Sequence, residues 1–305
     1  MSPSDLSALF AWGAATALAT AMVAFAADLA RRADDRTGPP AATSPGTVTR
    51  PRRAAGAGMA TTWLATVMLV AAIVLRGIAA GRTPWSNMYE FTLVGAATAL
   101  IVFLLLNLRR DLRFLGTFVT GIAALFVVLA LNVFYVPATG LFPALQSYWL
   151  VIHVGIAVGS AGIFTVSFVL SCLQLLRDSQ QHGTRALSGR GWGWLNHLPE
   201  PAALEGLSFR LNAIGFIGWT FTLIGGAIWA EDAWGRYWGW DPKEVWTFVI
   251  WVIYAAYLHA RMTRGWAGRR SAYLVLVGYT CVIFNFTVVN LIINGKHSYS
   301  GLTTG

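Results

Sequence analysis

Residues 229–251 read WAEDAWGRYWGWDPKEVWTFVIW. Six of the chain's 14 tryptophans fall in these 23 positions, together with six charged side chains: Glu231, Asp232, Arg236, Asp241, Lys243 and Glu244. Charge near the centre of a bilayer is costly, and a plain loop does not carry this much aromatic surface. The stretch therefore reads as a partly buried aromatic platform at a membrane–water interface, with a loop over 229–246. Tryptophan favours that zone whether or not it does further work, so an aromatic belt is one reading. The spacing supplies another. Trp234, Trp238 and Trp240 alternate with Gly235 and Gly239 and run into Asp241. Glycine lets a backbone approach a flat partner, and indole offers faces for stacking.

Working outward, composition sets the class. Of 305 residues, 56% are hydrophobic and 11% charged, far too apolar for a soluble domain of this size. Eight apolar runs of bilayer length are expected, near 7–28, 59–79, 88–108, 114–134, 147–176, 209–229, 242–262 and 271–293. The fold class is an all-α polytopic integral membrane protein. The first run has no basic leader and reads as a permanent span. The net charge of +9 is better explained by positive loops than by a nucleic-acid surface, so no nucleic-acid partner is expected. Cys172 and Cys281 lie in apolar runs and no CxxC occurs. Neither thiol–disulfide chemistry nor covalent haem attachment to this chain is indicated.

Orientation follows from lysine and arginine. The loops after spans one, three, five and seven hold 17 of the 22 basic residues. The positive-inside rule then puts both termini, and the aromatic stretch, outside the cytoplasm. Residues 31–58, rich in Pro, Gly, Ala and Arg, read as a flexible cytoplasmic linker. Residues 177–208 read as a second cytoplasmic loop, with a short surface helix near Gly191 to Leu198. The whole chain, 1–305, reads as one membrane domain. The seventh span has a defined start: Asp241 suits the N-cap, Pro242 the first turn and Glu244 a capping box.

Three histidines stand apart from the loop pair His182 and His197. His153 lies about two turns into span five, and His297 just beyond span eight, both towards the aromatic end. Imidazole is a common axial ligand of haem iron, and two give a six-coordinate centre. The pair also fits a hydrogen-bonded core histidine and a solvated tail histidine. His259 lies 17 residues after Pro242 on the same helix, so roughly 25 Å away along it. It belongs near the opposite end, as a helix-end histidine or as part of a second site.

The segment WGRYWGWDPKE, 234–244, resembles the tryptophan-rich WWD signature of the haem-handling proteins of cytochrome c biogenesis. VWTFVIW and YLHAR, 245–251 and 257–261, are similar to its CcsA/ResC branch, the system II proteins. The resemblance runs from about Pro84 to Tyr299. Family members read WANEAWG and KETW where this chain has WAEDAWG and KEVW.

The resemblance implies a membrane subunit of a cytochrome c synthase. It implies haem b as bound substrate, held on the outer side by His153 and His297 over a platform of Trp229, Trp234, Gly235, Arg236, Trp238, Trp240, Asp241 and Lys243. It makes His259 a ligand of a second, transmembrane haem, completed by a histidine of a ResB-like membrane subunit. It implies attachment of haem to the CxxCH motif of apocytochrome c, a haem-lyase activity, with thiol-reducing partner proteins and residence in the plasma or inner membrane. Arg82, Arg236, Lys243 and Lys296 are candidate cations for the haem propionates. Asn87 and Glu90 look like family features without assigned chemistry. The competing readings are a CcmC-like haem transporter or chaperone, a structural membrane subunit, and a lipid-linked sugar transferase that needs Asp241.

Overall fold

In the computed structural model, residues 1–35, 52–138, 140–141, 145–187, 189–293 and 295–297 are described. They form helices with no strand among them. The long helices are α1 (Pro3–Asp35), α2 (Arg53–Ala80), α3 (Met88–Asn107), α4 (Gly116–Asn132), α5 (Gly155–Gln181), α6 (Pro201–Trp234), α7 (Pro242–Thr263) and α8 (Arg269–Phe286). A single π-type turn, Leu150–Val154, leads into α5, and a four-residue helix α9, Val288–Leu291, follows α8. All eight expected spans are present as helices long and apolar enough to cross a membrane.

Several boundaries shift. Helix α6 covers 34 residues, about 51 Å at 1.5 Å per residue, well beyond a hydrocarbon core of about 30 Å. Pro201 starts it, where a missing N–H costs nothing, and Gly235, at φ +68°, ends it in the left-handed conformation that glycine adopts freely. The loop expected over 229–246 therefore contracts to 235–241. Likewise 31–35 and 53–58 of the expected linker are helical, and 36–51, with Arg36 and Arg50, lie outside the described residues. In the expected loop 177–208, α5 continues to Gln181 and α6 begins at Pro201. Between them Arg190–His197 forms the short helix expected near 191–198, as a 3-10 helix. Its Trp192 and Trp194 pack on the main core.

The bundle has two cores that share α5 and α6. The larger joins α1–α4 to one side of α5 and the first turns of α6, through Leu18, Phe25, Leu69, Leu100, Phe103, Val127, Leu170 and Leu207. Where water is absent, helices associate through close packing of small residues. Ala11, Ala14, Ala21, Ala65 and Ala72 accordingly lie at 0% exposure in α1 and α2. The smaller core joins α5 to α6, α7 and α8. There the Phe164 and Tyr254 rings stack at 4.0 Å and 6°. Glycines set the α5–α6 distance: a Cβ on Gly215 would meet the Phe164 ring at 2.6 Å, and one on Gly218 the Ser160 hydroxyl at 2.3 Å.

The entry to α3 is fixed by charge. The buried Glu90 carboxylate accepts from Arg76 at 3.0 Å and from Arg82 at 2.7 Å, and also from the Ser86 amide. Asn87 caps α3 by accepting from the Glu90 amide at 2.9 Å. Asn87 and Glu90 thus hold a helix start and two cations in place. Arg82, offered above as a cation for an anionic ligand, is engaged by Glu90.

Candidate functional site

At the aromatic end, α3, α5, α6, α7 and α8 leave a cleft enclosing about 1350 Å³ of space unfilled by atoms, its mouth included. Both His153 and His297 line it, with Trp229, Trp234, Trp238 and Lys243. The structure therefore brings together six residues that the sequence singled out from three separate places.

His153 sits in the π-type turn before α5, a local irregularity often found at functional sites. Its Nδ1 lies 2.8 Å from the Thr222 carbonyl oxygen of α6. A carbonyl only accepts, so Nδ1 carries the proton and Nε2 keeps a free lone pair. The ring rests on Gly226, where a Cβ would come within 2.7 Å of Cε1. Trp229 meets it edge-on, with ring centroids 5.7 Å apart. The Trp229 indole Nε1 is buried and has no hydrogen-bond partner. Trp85 donates from Nε1 to the Leu150 carbonyl at 2.9 Å, which pins the π-type turn from α3's side.

His297 is built the same way from other elements. Its Nδ1 donates to Asp241 Oδ1 at 2.9 Å, and again Nε2 is left open. The Trp234 ring meets it edge-on at 4.7 Å. A carboxylate or carbonyl behind a histidine fixes tautomer and ring orientation and raises ligand basicity. Two imidazoles prepared alike thus line one largely apolar cleft.

Asp241 links the pieces. Its side chain accepts from the Lys243 amide at 3.2 Å and forms a capping box with Glu244 at the start of α7. It also accepts from the Lys296 amide at 2.6 Å. Burial alone would raise its carboxyl. The His297 ring, the Lys296 and Lys243 amides and the nearby imidazole charge outweigh that and bring it down to about 2. The cap and the histidine contact are one arrangement, so the helix-start role expected of Asp241 and its role at the site coincide.

The rest of the loop is braced. Arg236 pairs with Glu244 at 3.2 Å, lies across Gly239 and stands 5.7 Å from the Trp234 ring centroid. Lys296 Nζ stands 5.6 Å from the same centroid. Glu244 Oε2 accepts from the amides of Gly239 and Asp241. Trp240 does not line the cleft. It is 76% exposed, packs edge-on to Trp238 at 5.8 Å and has φ +59°, rare for a residue with a Cβ. Gly235 is the helix end and is not among the residues lining the cleft. His259 is exposed on α7 and takes no part in this cleft.

Sequence reasoning passed over Trp85, Phe91, Trp219, Asn285 and Asn290, which complete the lining. The two asparagines carried a signal: amides inside an apolar run. The aromatics carried none, because a tryptophan on a helix is ordinarily core.

Residues 85–297 match the family model described as cytochrome C assembly protein. Proteins named cytochrome c biogenesis protein CcsA are similar over most of the chain. The one from Prochlorococcus marinus (strain MIT 9303) is 35% identical over 77% of this chain and 81% of its own length. That of Guillardia theta is 34% identical over 80% and 86%. That of Chlamydomonas reinhardtii is 34% identical over 76% and 65%. Among solved structures, the cytochrome c haem lyase CcmF superposes on 99% of this chain with a TM-score of 0.66 at 17% identity. This chain spans about half of that protein, 50%, and the likeness is one of fold.

Proposed function

The chain belongs to the cytochrome c assembly protein family, as a multi-pass membrane protein of the CcsA type, and from that premise we propose that its cleft holds haem b between His153 and His297. The observation that carries the proposal is the matched pair of imidazoles. Each has Nδ1 committed to an oxygen, Thr222 O or Asp241 Oδ1, which leaves Nε2 as the available lone pair, and both residues line the same cavity. Trp229, Trp234 and Trp238 wall the porphyrin and keep water from the iron. The positive-inside rule puts this end on the outer face of the plasma or inner membrane.

In this reading the chain is the membrane subunit of a system II cytochrome c synthase and works with a ResB-like membrane subunit. Haem is its substrate. An apocytochrome c presents its CxxCH motif at the cleft, kept reduced by thiol-reducing partner proteins. Its histidine replaces one imidazole, and its two thiols add across the two vinyl groups, each S–H supplying the sulfur and the proton. The chain's own residues orient the macrocycle and exclude water, and the thiols and haem supply the reacting groups. His259, exposed on α7, takes a second haem at a site completed by the partner.

The test is the reduced visible spectrum of the chain purified with its partner subunit, in wild type, His153→Ala and His297→Ala. A low-spin bis-histidine spectrum lost in either variant and restored by imidazole is expected. Haem that is absent from the wild type, or indifferent to both substitutions, would overturn the ligand assignment.

A further inference from the structure

Lys243 is a cation in the wall of the cleft that makes no salt bridge among the described residues. Its ammonium donates to the Asn285 backbone carbonyl at 2.9 Å and to Asn290 Oδ1 at 3.1 Å, both neutral acceptors. An ammonium has three N–H donors, so one remains. No carboxylate among the described residues lies within 4.0 Å of it. The arginines at this end of the bundle differ: Arg236 is paired with Glu244, and Arg76 and Arg82 with Glu90. A lone ammonium taken out of water is expensive unless an anion meets it.

The surroundings fix where that ammonium points. Asn285 is held through Nδ2 to Thr247 Oγ1 at 3.3 Å, while Thr247 Oγ1 donates to the Lys243 carbonyl at 2.7 Å. Asn290 Nδ2 is tied to the Phe286 carbonyl at 2.8 Å, which turns its Oδ1 towards Lys243. Lys243, Asn285 and Asn290 all line the cleft that holds His153 and His297.

We propose that Lys243, held by Asn285 and Asn290, is a carboxylate-binding site that takes one propionate of the haem lying between His153 and His297. The inference rests on the haem reading above and adds to it the point where the macrocycle's acidic edge is anchored. It also orders the candidate cations. Arg82 and Arg236 already have carboxylates, Lys296 stands over the Trp234 ring outside the cleft lining, and Lys243 lines the cleft with a donor left over.

Haem and haem dimethyl ester, in which both propionates are esterified, separate the two claims. Both are titrated into the full-length chain with its partner subunit in detergent and followed by the low-spin spectrum. Wild type is expected to favour haem over the ester by about tenfold, the worth of one charge-assisted hydrogen bond. Lys243→Met should bring the two affinities together while the bis-histidine spectrum persists. Lys243→Arg should restore the preference, which shows that a general loss of folding is not responsible. Equal binding of haem and ester by wild type, or an unchanged preference in Lys243→Met, would overturn the lysine assignment and leave the histidines standing. Failure of wild type to bind either compound would remove the haem reading and this site with it.

Discussion

Asp241 and His297 are separated by 56 positions in sequence and by 2.9 Å in space. Asp241 caps α7, so the carboxylate that begins one helix also orients a histidine carried in by the chain beyond α9. Asp241→Asn separates the two roles. Asparagine caps a helix about as well as aspartate, so α7 should start as before. The imidazole loses its anionic partner, and haem affinity should fall about ten- to hundredfold. Haem content per chain, with the melting temperature as a control, checks this. Lost function with full haem content would instead favour the sugar-transferase reading of Asp241.

The same carboxyl gives a pH signature. Its folded value, about 2, lies below the ordinary 3.8, so its contribution to stability is complete above about pH 4 and is lost as pH falls towards 2. The stability gap between wild type and Asp241→Asn should therefore be constant near neutrality and close between about pH 4 and 2. Thermal unfolding in detergent across that range measures it. A gap that does not change with pH would mean that the carboxylate is not held by His297 and the Lys296 amide.

The fold was largely legible from the sequence because bilayer length and apolarity constrain every span. Errors fell at span ends. Residues 230–234 look like loop because they hold Glu231 and Asp232, yet α6 carries them on beyond the bilayer, where charge costs little. His153 and His297 were legible as a pair only through their neighbours. What no pattern announced was the atom behind each one: the Thr222 carbonyl is backbone and has no residue identity, and Asp241 already had an explanation as a cap. Lys243 was visible as a cation, but its lack of a salt bridge emerges only once Arg236 is seen on Glu244.

Gly226 faces the His153 ring. A Cβ there would lie 2.7 Å from Cε1, so Gly226→Ala should push the imidazole off the Thr222 carbonyl and weaken or abolish the low-spin spectrum. Added imidazole should restore it. Gly159→Ala, with nothing within 4 Å of its new Cβ, should leave the spectrum unchanged and raise helix stability by up to about 1 kcal/mol. Equal behaviour of the two variants would show that His153 does not depend on the close approach of α6.

Glu90 has a purely structural expectation. It neutralises Arg76 and Arg82 while 1% exposed itself. Glu90→Gln removes the carboxylate that both guanidinium groups share and should cost about 3–5 kcal/mol. Protein level in the membrane and melting temperature should fall, while the surviving protein keeps its haem spectrum. A normal melt with an altered spectrum would move Glu90 from the scaffold to the haem site.

His259 tests whether the two ends of the bundle are separate. It lies about 25 Å along α7 from Pro242, twelve residues beyond Thr247, which lines the cleft, and on an exposed face of the helix. His259→Ala in the chain alone should therefore leave the low-spin spectrum of the His153–His297 site intact. With the partner subunit present, haem per complex should drop by about half, because the proposed second site would lose an axial ligand. Quantifying haem against protein in both preparations separates these outcomes. Loss of the spectrum in the chain alone would place His259 in the same haem site as His153 and His297, which a straight α7 does not permit, and would require α7 to rearrange as haem passes.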